Sequence, residues 1–267
     1  MKEQNKVHQK FWGDKGLVVF IAFLSAFIPL STDIYLPALP HMAQYFNAEP
    51  SIVNLTLVLF FIFYAVGTLF WGPLSDKYGR KPVLISGLVI YVSASILCAT
   101  SVNIYQLIAF RIVQAIGSGA VIATGTAVVK DVYEGRKRVT ILAVIQSMVM
   151  ISPIVAPMIG SSILMLTSWR GVFWALSIVG FLAAVGGLLM EETIGIKSTG
   201  NILQSIGRLG VIIKNPGFSS LLLTFSIIGI PVMAYVSIAS YIYQNDFGLS
   251  EQAFSLYFAM NALFAVL

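Results

Sequence analysis

The sequence predicts an all-α protein that crosses a membrane several times. Of its 267 residues, 58% are hydrophobic and only 10% are charged, and the mean hydropathy is +0.88. An average soluble domain carries about 25% charged residues, so a soluble fold is excluded. The apolar residues form long runs separated by short loops, and most of the basic residues lie in those loops. This arrangement is typical of helical membrane proteins.

Seven apolar runs are long enough to cross the bilayer as helices, whose hydrocarbon core is about 30 Å thick. They lie near residues 17–38, 52–74, 83–100, 104–129, 139–165, 170–190 and 218–243, and an eighth run begins near Ala253. A basic segment precedes the first run. That run is too long for the core of a signal peptide, and no small-residue cleavage pattern follows it. We therefore expect it to be retained as the first spanning helix.

The distribution of lysine and arginine predicts the orientation. The loops around His41, Asn103, Arg170 and Asp246 contain one base, Arg170. The alternate loops contain Lys77, Arg80, Lys81, Lys130, Arg136, Lys137, Arg138, Lys197, Arg208 and Lys214. Because bases accumulate on the cytoplasmic side, these loops and the N-terminus are predicted to lie in the cytoplasm. The same loops account for the net charge of +5, so no nucleic acid partner is expected.

The sequence offers little for catalysis or cofactor binding. The single cysteine, Cys98, lies in an apolar run, and His8 and His41 are too far apart to suggest a metal site. No Gly-Lys pair occurs, which excludes a phosphate-binding loop for ATP. No His–acid or Ser–His arrangement lies within the spans, which argues against an enzyme. We expect no metal and no cofactor, and an ion gradient as the energy source.

The connection between residues 191 and 217 is longer than the other loops. Apolar residues recur in it at helical spacing: Ile202, Ile206, Leu209 and Ile213. This periodicity predicts a helix on the inner membrane surface. A solvated loop is the alternative.

Asp33 and Arg111 are the charged residues that lie well inside the apolar runs. Burial of charge in lipid is costly, so both are functional candidates. If the first helix leaves the membrane near Pro40, Asp33 lies about 10 Å deep and Arg111 about 12 Å deep. We predict that they pair across their helices, because an acid and a base at one depth offset each other's burial. A purely structural ion pair, or an Asp33 that reaches the outer surface, is the alternative.

The turn after the second run carries the most specific motif, from Gly72 to Pro82. A turn selected for positive charge alone would explain its bases but not the spacing of Gly72, Asp76, Gly79 and Arg80. The segment resembles the G-x-L-a-D-r-x-G-r-k loop between helices two and three of major facilitator superfamily transporters.

Three further segments carry the resemblance. The stretch from Ser31 to Pro40 is similar to the end of helix one in the bicyclomycin and chloramphenicol resistance branch of drug:proton antiporters. On the fourth run, Arg111, Gln114, Gly117 and Gly119 resemble an R-x-x-Q-G-x-G element, with Ala115 replacing one glycine. On the fifth run, the antiporter element G-P-x-x-G-G is matched by Pro153, Pro157 and Gly160, and Ala156 and Ser161 replace two glycines.

The resemblance implies a major facilitator fold, with 1–16 as a cytoplasmic N-terminus, 17–190 as a six-helix half, 191–217 as a linker and 218–267 as part of a second half. It implies alternating access in a bacterial cytoplasmic membrane. Asp76, Arg80 and Lys81, with Gly72 and Gly79, would form a cytoplasmic latch. Asp33 with Arg111 would couple proton movement to efflux, since a transporter without ATP needs a titratable group in its cavity.

The substrate is weakly constrained by the sequence. Tyr35, Phe60, Tyr64 and Met148 could line a cavity for small amphipathic drugs, because rings and thioethers adapt to varied shapes. Packing or lipid contact is the alternative for these four residues. An uptake or sugar-efflux facilitator of the same fold, or a membrane fragment that does not transport, also remains open, and the sequence does not determine an oligomeric state.

The last run is short. From Ala253 to Leu267 it would form about 22 Å of helix, less than the hydrocarbon thickness. Together with the resemblance, this length predicts a partial chain that inserts but does not transport by itself.

Overall fold

The protein consists of helices, with no strand in residues 9–200 and 202–266, the part of the chain that the computed structural model describes. The helices are α1 (Gly13–Ser25), α2 (Phe27–Asp33), α3 (Leu39–Phe46), α4 (Pro50–Tyr78), α5 (Arg80–Thr100), α6 (Ile104–Val132), α7 (Gly135–Leu166), α8 (Trp169–Leu189), α9 (Ile202–Ile213), α10 (Pro216–Tyr241) and α11 (Glu251–Val266). A 3₁₀ turn at Leu36–Ala38 precedes α3, and a π-helical turn at Ile242–Asp246 follows α10.

The predicted spans are confirmed. Seven helical segments of the described chain are long and apolar enough to cross a membrane. The first, Gly13–Phe46, combines α1, α2 and α3, and the last, Pro216–Asp246, combines α10 with its π-helical turn. Helices α4, α6 and α7 exceed the predicted runs by about one turn, so residues such as Lys77 and Arg136 are helical rather than part of loops.

The first span is interrupted because of two prolines. Pro37 follows Asp33 by four residues, and Pro40 follows Leu36 by four. Since proline has no N–H, the carbonyls of Asp33 and Leu36 lose their α-helical donors. Helix α2 therefore ends at Asp33, and α3 begins after the 3₁₀ turn. The helical segment continues past Pro40 as α3, which ends at Phe46.

Helix α6 is central among the first six spans and packs between α4 and α5. A Cβ atom added at Gly117 would lie 2.7 Å from the carbonyl oxygen of Gly87 on α5, and one at Gly119 would lie 2.8 Å from the backbone nitrogen of Thr68 on α4. Such close approach requires small residues. The two glycines of the fourth-run pattern therefore lie where α6 touches its neighbours.

The two ends of the bundle differ in charge. At one end, here called the basic end, Lys137 pairs with Asp14 at 2.9 Å and Arg80 pairs with Asp131 at 2.7 Å. At the opposite end, Arg170 donates a hydrogen bond to the carbonyl of Ser101 at 2.9 Å. The loops that contain most of the bases thus come together, as the alternation of spans requires.

The helix predicted between residues 191 and 217 is present as α9, which contacts α4 and α10. The side chains of Ile206 and Leu209, on which the periodicity partly depended, lie outside the described part. The neighbouring Val211 and Ile213 are exposed.

Helices α10 and α11 follow α9, and they differ in how much of each helix packs on the first six spans. Helix α11 lies along α7, whereas α10 is buried only near its end, at Ala239, Ser240 and Tyr241. Large apolar side chains earlier in α10, such as Phe225 and Ile228, are exposed in this chain. An apolar surface of this extent is typical of contact with lipid or with further protein.

The close contact between α6 and α5 yields a stability prediction. Gly117→Ala should lower the free energy of unfolding by about 1–3 kcal/mol, because the added methyl group meets backbone atoms that cannot rotate away. Gly229→Ala on α10 is the control, since no described atom lies within 4 Å of a Cβ built there. Thermal unfolding of the two purified variants in detergent tests this. Equal melting temperatures would contradict the packing described for α6.

Candidate functional site

A buried arginine organises the centre of the first six spans. Arg111 on α6 is fully inaccessible to solvent. One terminal nitrogen, Nη1, donates to the carbonyl of Ser31 at 3.0 Å and to Oε1 of Gln114 at 2.6 Å. Its Nε lies 3.5 Å from the carbonyl of Thr56 on α4. The guanidinium is thus bound by neutral oxygen atoms from α2, α4 and its own helix.

Aromatic rings surround the same guanidinium. Its Cζ lies 4.2 Å from the ring centroid of Phe60, 4.6 Å from that of Tyr35 and 5.9 Å from that of Phe173. The faces of such rings attract a cation, and the effect is largest where water is absent. Arg111 is therefore stabilised by ring faces as well as by hydrogen bonds.

The predicted ion pair between Asp33 and Arg111 is not formed. The described part of the chain contains four ion pairs, and neither residue takes part in them. Arg111 instead binds the carbonyl of Ser31 in the last turn of α2, where helix carbonyls lack partners and the helix dipole favours a cation. Asp33 ends that helix, is 7% exposed, and accepts a hydrogen bond from the Thr32 hydroxyl at 2.9 Å. The two residues are linked through the end of α2 rather than by direct contact.

Hydrogen bonds extend this cluster to α5. The amide of Gln114 donates to the Ser95 hydroxyl at 2.7 Å. The Ser31 hydroxyl and the Tyr91 phenol lie 2.7 Å apart. The end of α2 is therefore connected to both α6 and α5 by side chains that are fully buried.

The four residues predicted to line a substrate cavity do not lie together in the structure. Tyr35 and Phe60 are buried against Arg111, and Tyr35 also bonds the Thr56 hydroxyl at 2.9 Å. Tyr64 is half-buried, and Met148 is exposed on α7. The structure thus gathers Tyr35 and Phe60 at the arginine and places Met148 on a separate surface.

The motif loop at the basic end forms a second polar cluster. Gly79 has a backbone φ of +116°, a conformation that side chains disfavour. It turns the chain so that Arg80 points back into the bundle, where its Nη1 donates to Asp76 at 2.6 Å and to Ser75 at 2.7 Å. Its Nε donates to Asp131 on α6 at 2.7 Å. Arg80 therefore holds the ends of α4 and α6 together.

Glu192, which follows α8, belongs to this cluster and was not predicted. Its carboxylate accepts hydrogen bonds from the backbone N–H groups of Arg80 at 2.9 Å and Lys81 at 3.3 Å, so it caps the start of α5 from another part of the chain. A Cβ atom at Gly79 would overlap this carboxylate. Gly79 is thus required both for the turn and for the approach of Glu192.

Asp131 and Glu192 were missed because the sequence analysis of the loops counted bases. Asp131 directly follows Lys130 in a predominantly basic stretch, and an acid retained among bases at a membrane boundary was the available signal for it. Glu192 follows a second acid, Glu191, and carried no such signal. Lys81, by contrast, joins the cluster through its backbone N–H.

A groove opens beside this cluster between α4 and α6. Its volume is about 490 Å³, and its lining includes Gly72, Asp76, Arg80, Lys130 and Asp131. A Cβ atom at Gly72 would meet no described atom within 4 Å. Gly72 therefore borders open space rather than a close contact.

The fifth-run element lies against the interrupted first span. A Cβ atom at Gly160 would overlap the carbonyl of Ile34. Pro153 and Pro157 lie inside α7, and the Pro157 carbonyl accepts a hydrogen bond from Ser255 of α11 at 2.9 Å. This part of α7 thus touches both the first span and the last helix.

The fold and the two clusters define a helical membrane protein with an acid and a base buried at mid-bundle and a charged turn at one end. Comparison with protein families identifies the superfamily. Residues 18–267 match the Major Facilitator Superfamily, and the chain belongs to this superfamily. Its fold and family are those of membrane transporters, not of enzymes.

The relatives carry several names. An uncharacterized MFS-type transporter of Bacillus subtilis is 32% identical over 93% of this chain and 63% of its own length. Citrate exporter 1 of Aspergillus niger is 32% identical over 67% of this chain and 34% of its own length. The chloramphenicol resistance protein of Pseudomonas aeruginosa is 35% identical over 63% of this chain and 41% of its own length. The chain thus spans less than two thirds of the length of these relatives.

A solved structure has the same fold. A bacterial homologue of the human lysosomal transporter Spinster, in an inward-facing and unoccupied conformation, superposes with a TM-score of 0.73 over 92% of this chain and 59% of that chain. The two sequences are 17% identical, so this likeness concerns the fold alone.

The role of Glu192 as a cap can be measured directly. Glu192→Ala should speed amide hydrogen exchange at Arg80 and Lys81 by about tenfold, because an unpaired helix N-terminus opens more readily. Glu191→Ala is the matched control, since Glu191 bonds Gln9 through its backbone. Equal exchange in the two variants would contradict the cap.

Proposed function

We propose that the protein is a proton-coupled exporter of small amphipathic molecules, drugs among them. The observation that carries this proposal is Asp33, the one acidic residue among the buried side chains of the described chain. It lies at the interruption of the first span. Interrupted helices at mid-membrane are a recurrent way to build substrate and ion sites in transporters, and a buried acid is suited to carry a proton.

The surroundings of Asp33 support reversible protonation. A directly paired arginine would favour the ionised carboxylate, but Arg111 bonds the Ser31 carbonyl and Gln114 and lies against ring faces, and its Nη2 has no hydrogen-bond partner among the described residues. Asp33 keeps a neutral donor, Thr32. Proton binding at Asp33 would then alter the end of α2, to which Arg111 is bonded.

The orientation, the domains and the latch are parts of the same proposal. The basic end would face the cytoplasm of a bacterium, with the N-terminus inside. Residues 17–190 would form one half of the transporter, 191–217 the linker and 218–267 part of the second half. The cluster of Asp76, Arg80 and Asp131 would hold the basic end in one state of the cycle. Conformational changes of this kind use elements with two discrete arrangements.

The substrate class is supported by the relatives and not by a pocket. A relative named a chloramphenicol resistance protein favours drugs. The similarity to Citrate exporter 1 favours, as a second candidate, export of a small carboxylate. Both candidates share export and a proton-carrying acid, and they differ in the molecule moved.

Asp33→Asn tests the proton-coupled function. In a pump-deficient bacterium expressing the complete gene, the wild-type protein should raise resistance to some members of a broad drug panel. Asp33→Asn should abolish the increase, because the amide keeps the shape but cannot titrate. Asp246→Asn, which alters an exposed acid, is the control.

Unchanged resistance in the Asp33→Asn strain would remove Asp33 from the mechanism. Citrate efflux by the wild-type strain, without resistance to any drug, would favour the second candidate.

The latch predicts a separation of transport from binding. Gly79→Leu should stop transport, because the side chain is strained at this φ and displaces Glu192. Substrate binding should persist, since the turn is remote from Asp33. Gly195→Leu is the control, because Gly195 is exposed and has open space around it in the described chain. Radioligand binding on membranes, compared with transport, distinguishes the outcomes, and a parallel loss of binding would count against a latch.

A further inference from the structure

Among the described residues, four polar contacts join α10, its π-helical turn and α11 to the first six spans at the end opposite the basic end. Two of them fall on the interruption of the first span: Ser240 donates to the Leu36 carbonyl at 2.6 Å, and Gln244 donates to the Pro37 carbonyl at 3.0 Å. The other two are the bonds from Ser255 to the Pro157 carbonyl and between His41 and Glu251.

The contacts of Ser240 and Gln244 fit a backbone that lacks donors of its own. Pro40 carries no N–H, so the Leu36 carbonyl has no α-helical donor and accepts only a 3₁₀ bond from Leu39 within its own segment. A buried carbonyl without sufficient partners is costly. The Ser240 hydroxyl fills this requirement and in turn accepts a bond from the Gln244 amide at 2.9 Å.

Two sets of side chains therefore form hydrogen bonds to the backbone around the interruption after Asp33. On one side, Arg111 bonds the Ser31 carbonyl, and this contact stays within the first six spans. On the other side, Ser240 and Gln244 belong to the span after the linker. If α10 and α11 separate from the first six spans at this end, the bonds of Ser240 and Gln244 must break, whereas the bond of Arg111 can persist.

We infer that Ser240 and Gln244 are positioning residues for Asp33, which fix the interrupted segment while this end of the bundle is closed and release it on opening. The inference rests on the proposed role of Asp33. It adds that opening of this end and protonation of Asp33 are coupled, through two hydrogen bonds to the segment that follows Asp33.

Several charged or titratable groups surround this segment, and none of them is Ser240 or Gln244. The segment itself contains Tyr35, α6 brings Arg111, and α5 brings Tyr91 and Cys98. Helix α3 brings His41, α10 and its π-helical turn bring Tyr241 and Tyr243, and α11 brings Glu251. Helix α7, which packs against α2, carries no titratable residue from 139 to 168. A change in Asp33 titration on alteration of Ser240 and Gln244 would thus not arise from removal of a charge.

The test follows Asp33 itself in the 267-residue chain, purified and reconstituted in lipid vesicles. Dicyclohexylcarbodiimide modifies protonated carboxyl groups in apolar sites, and peptide mass spectrometry locates the adduct. Labelling is measured from about pH 5 to about pH 9. In the variant Ser240→Ala/Gln244→Met, half-maximal labelling of Asp33 should move to lower pH by about half a unit or more, because water admitted at the released segment solvates the carboxylate.

Two variants separate this effect from a general loss of structure. Ser240→Thr keeps the hydroxyl donor and should titrate like the wild type. Ser237→Ala removes a hydroxyl on the same helix that donates to the Met233 carbonyl of that helix, and it should also leave the midpoint unchanged.

The outcomes are distinct. A wild-type midpoint within the range, shifted only by Ser240→Ala/Gln244→Met, supports the inference. A midpoint that is the same in all variants overturns it and leaves the proposed function standing. Labelling of wild-type Asp33 that does not depend on pH overturns the proposed function and the inference with it.

Discussion

The burial of a guanidinium without a carboxylate partner is the constraint on which the arrangement of the first six spans depends. A cation away from water is costly unless its donors and its charge are both satisfied. Arg111 meets only part of this requirement. Its Nη1 donates to a backbone carbonyl and to the Gln114 amide oxygen, and ring faces surround the cation, but its buried Nη2 has no hydrogen-bond partner among the described residues. Each partner imposes a condition on the fold. The carbonyl must come from a helix end, and the helices must approach closely, as the glycines of α6 allow.

The helix end is supplied by proline chemistry. Pro37 and Pro40 remove the donors that Asp33 and Leu36 would need to continue an α-helix. The interruption exposes carbonyls inside the bundle, where lipid or packed apolar side chains cannot satisfy them. Ser240 binds the Leu36 carbonyl, and Arg111 binds the Ser31 carbonyl in the last turn before the interruption. The end of α2 thus provides a carbonyl for the buried arginine, and the donor that Leu36 lacks explains the attachment of α10.

The sequence predicted the spans well because hydropathy and length are properties of a segment by itself. The pairing of Asp33 with Arg111 was wrong because depth along two helices does not determine which way their side chains point, and a charge count ignores carbonyls and ring faces. Glu192 was missed for a related reason. Its role depends on the basic end bringing the chain after α8 beside the start of α5, a proximity that no local pattern encodes. The motif loop was recognised because its glycine and charge spacing is local.

The two buried arginines of the described chain show how depth selects the partner. Arg80 lies at the basic end and binds two acids, Asp76 and Asp131. Arg111 lies at mid-bundle and binds neutral groups. A fixed ion pair suits a structural joint, since both charges persist whatever the protonation of other groups. A cation held by neutral partners leaves a neighbouring acid free to gain and lose a proton without leaving the arginine unpaired. The absence of a direct Asp33–Arg111 contact therefore agrees better with proton coupling than the ion pair expected from the sequence would.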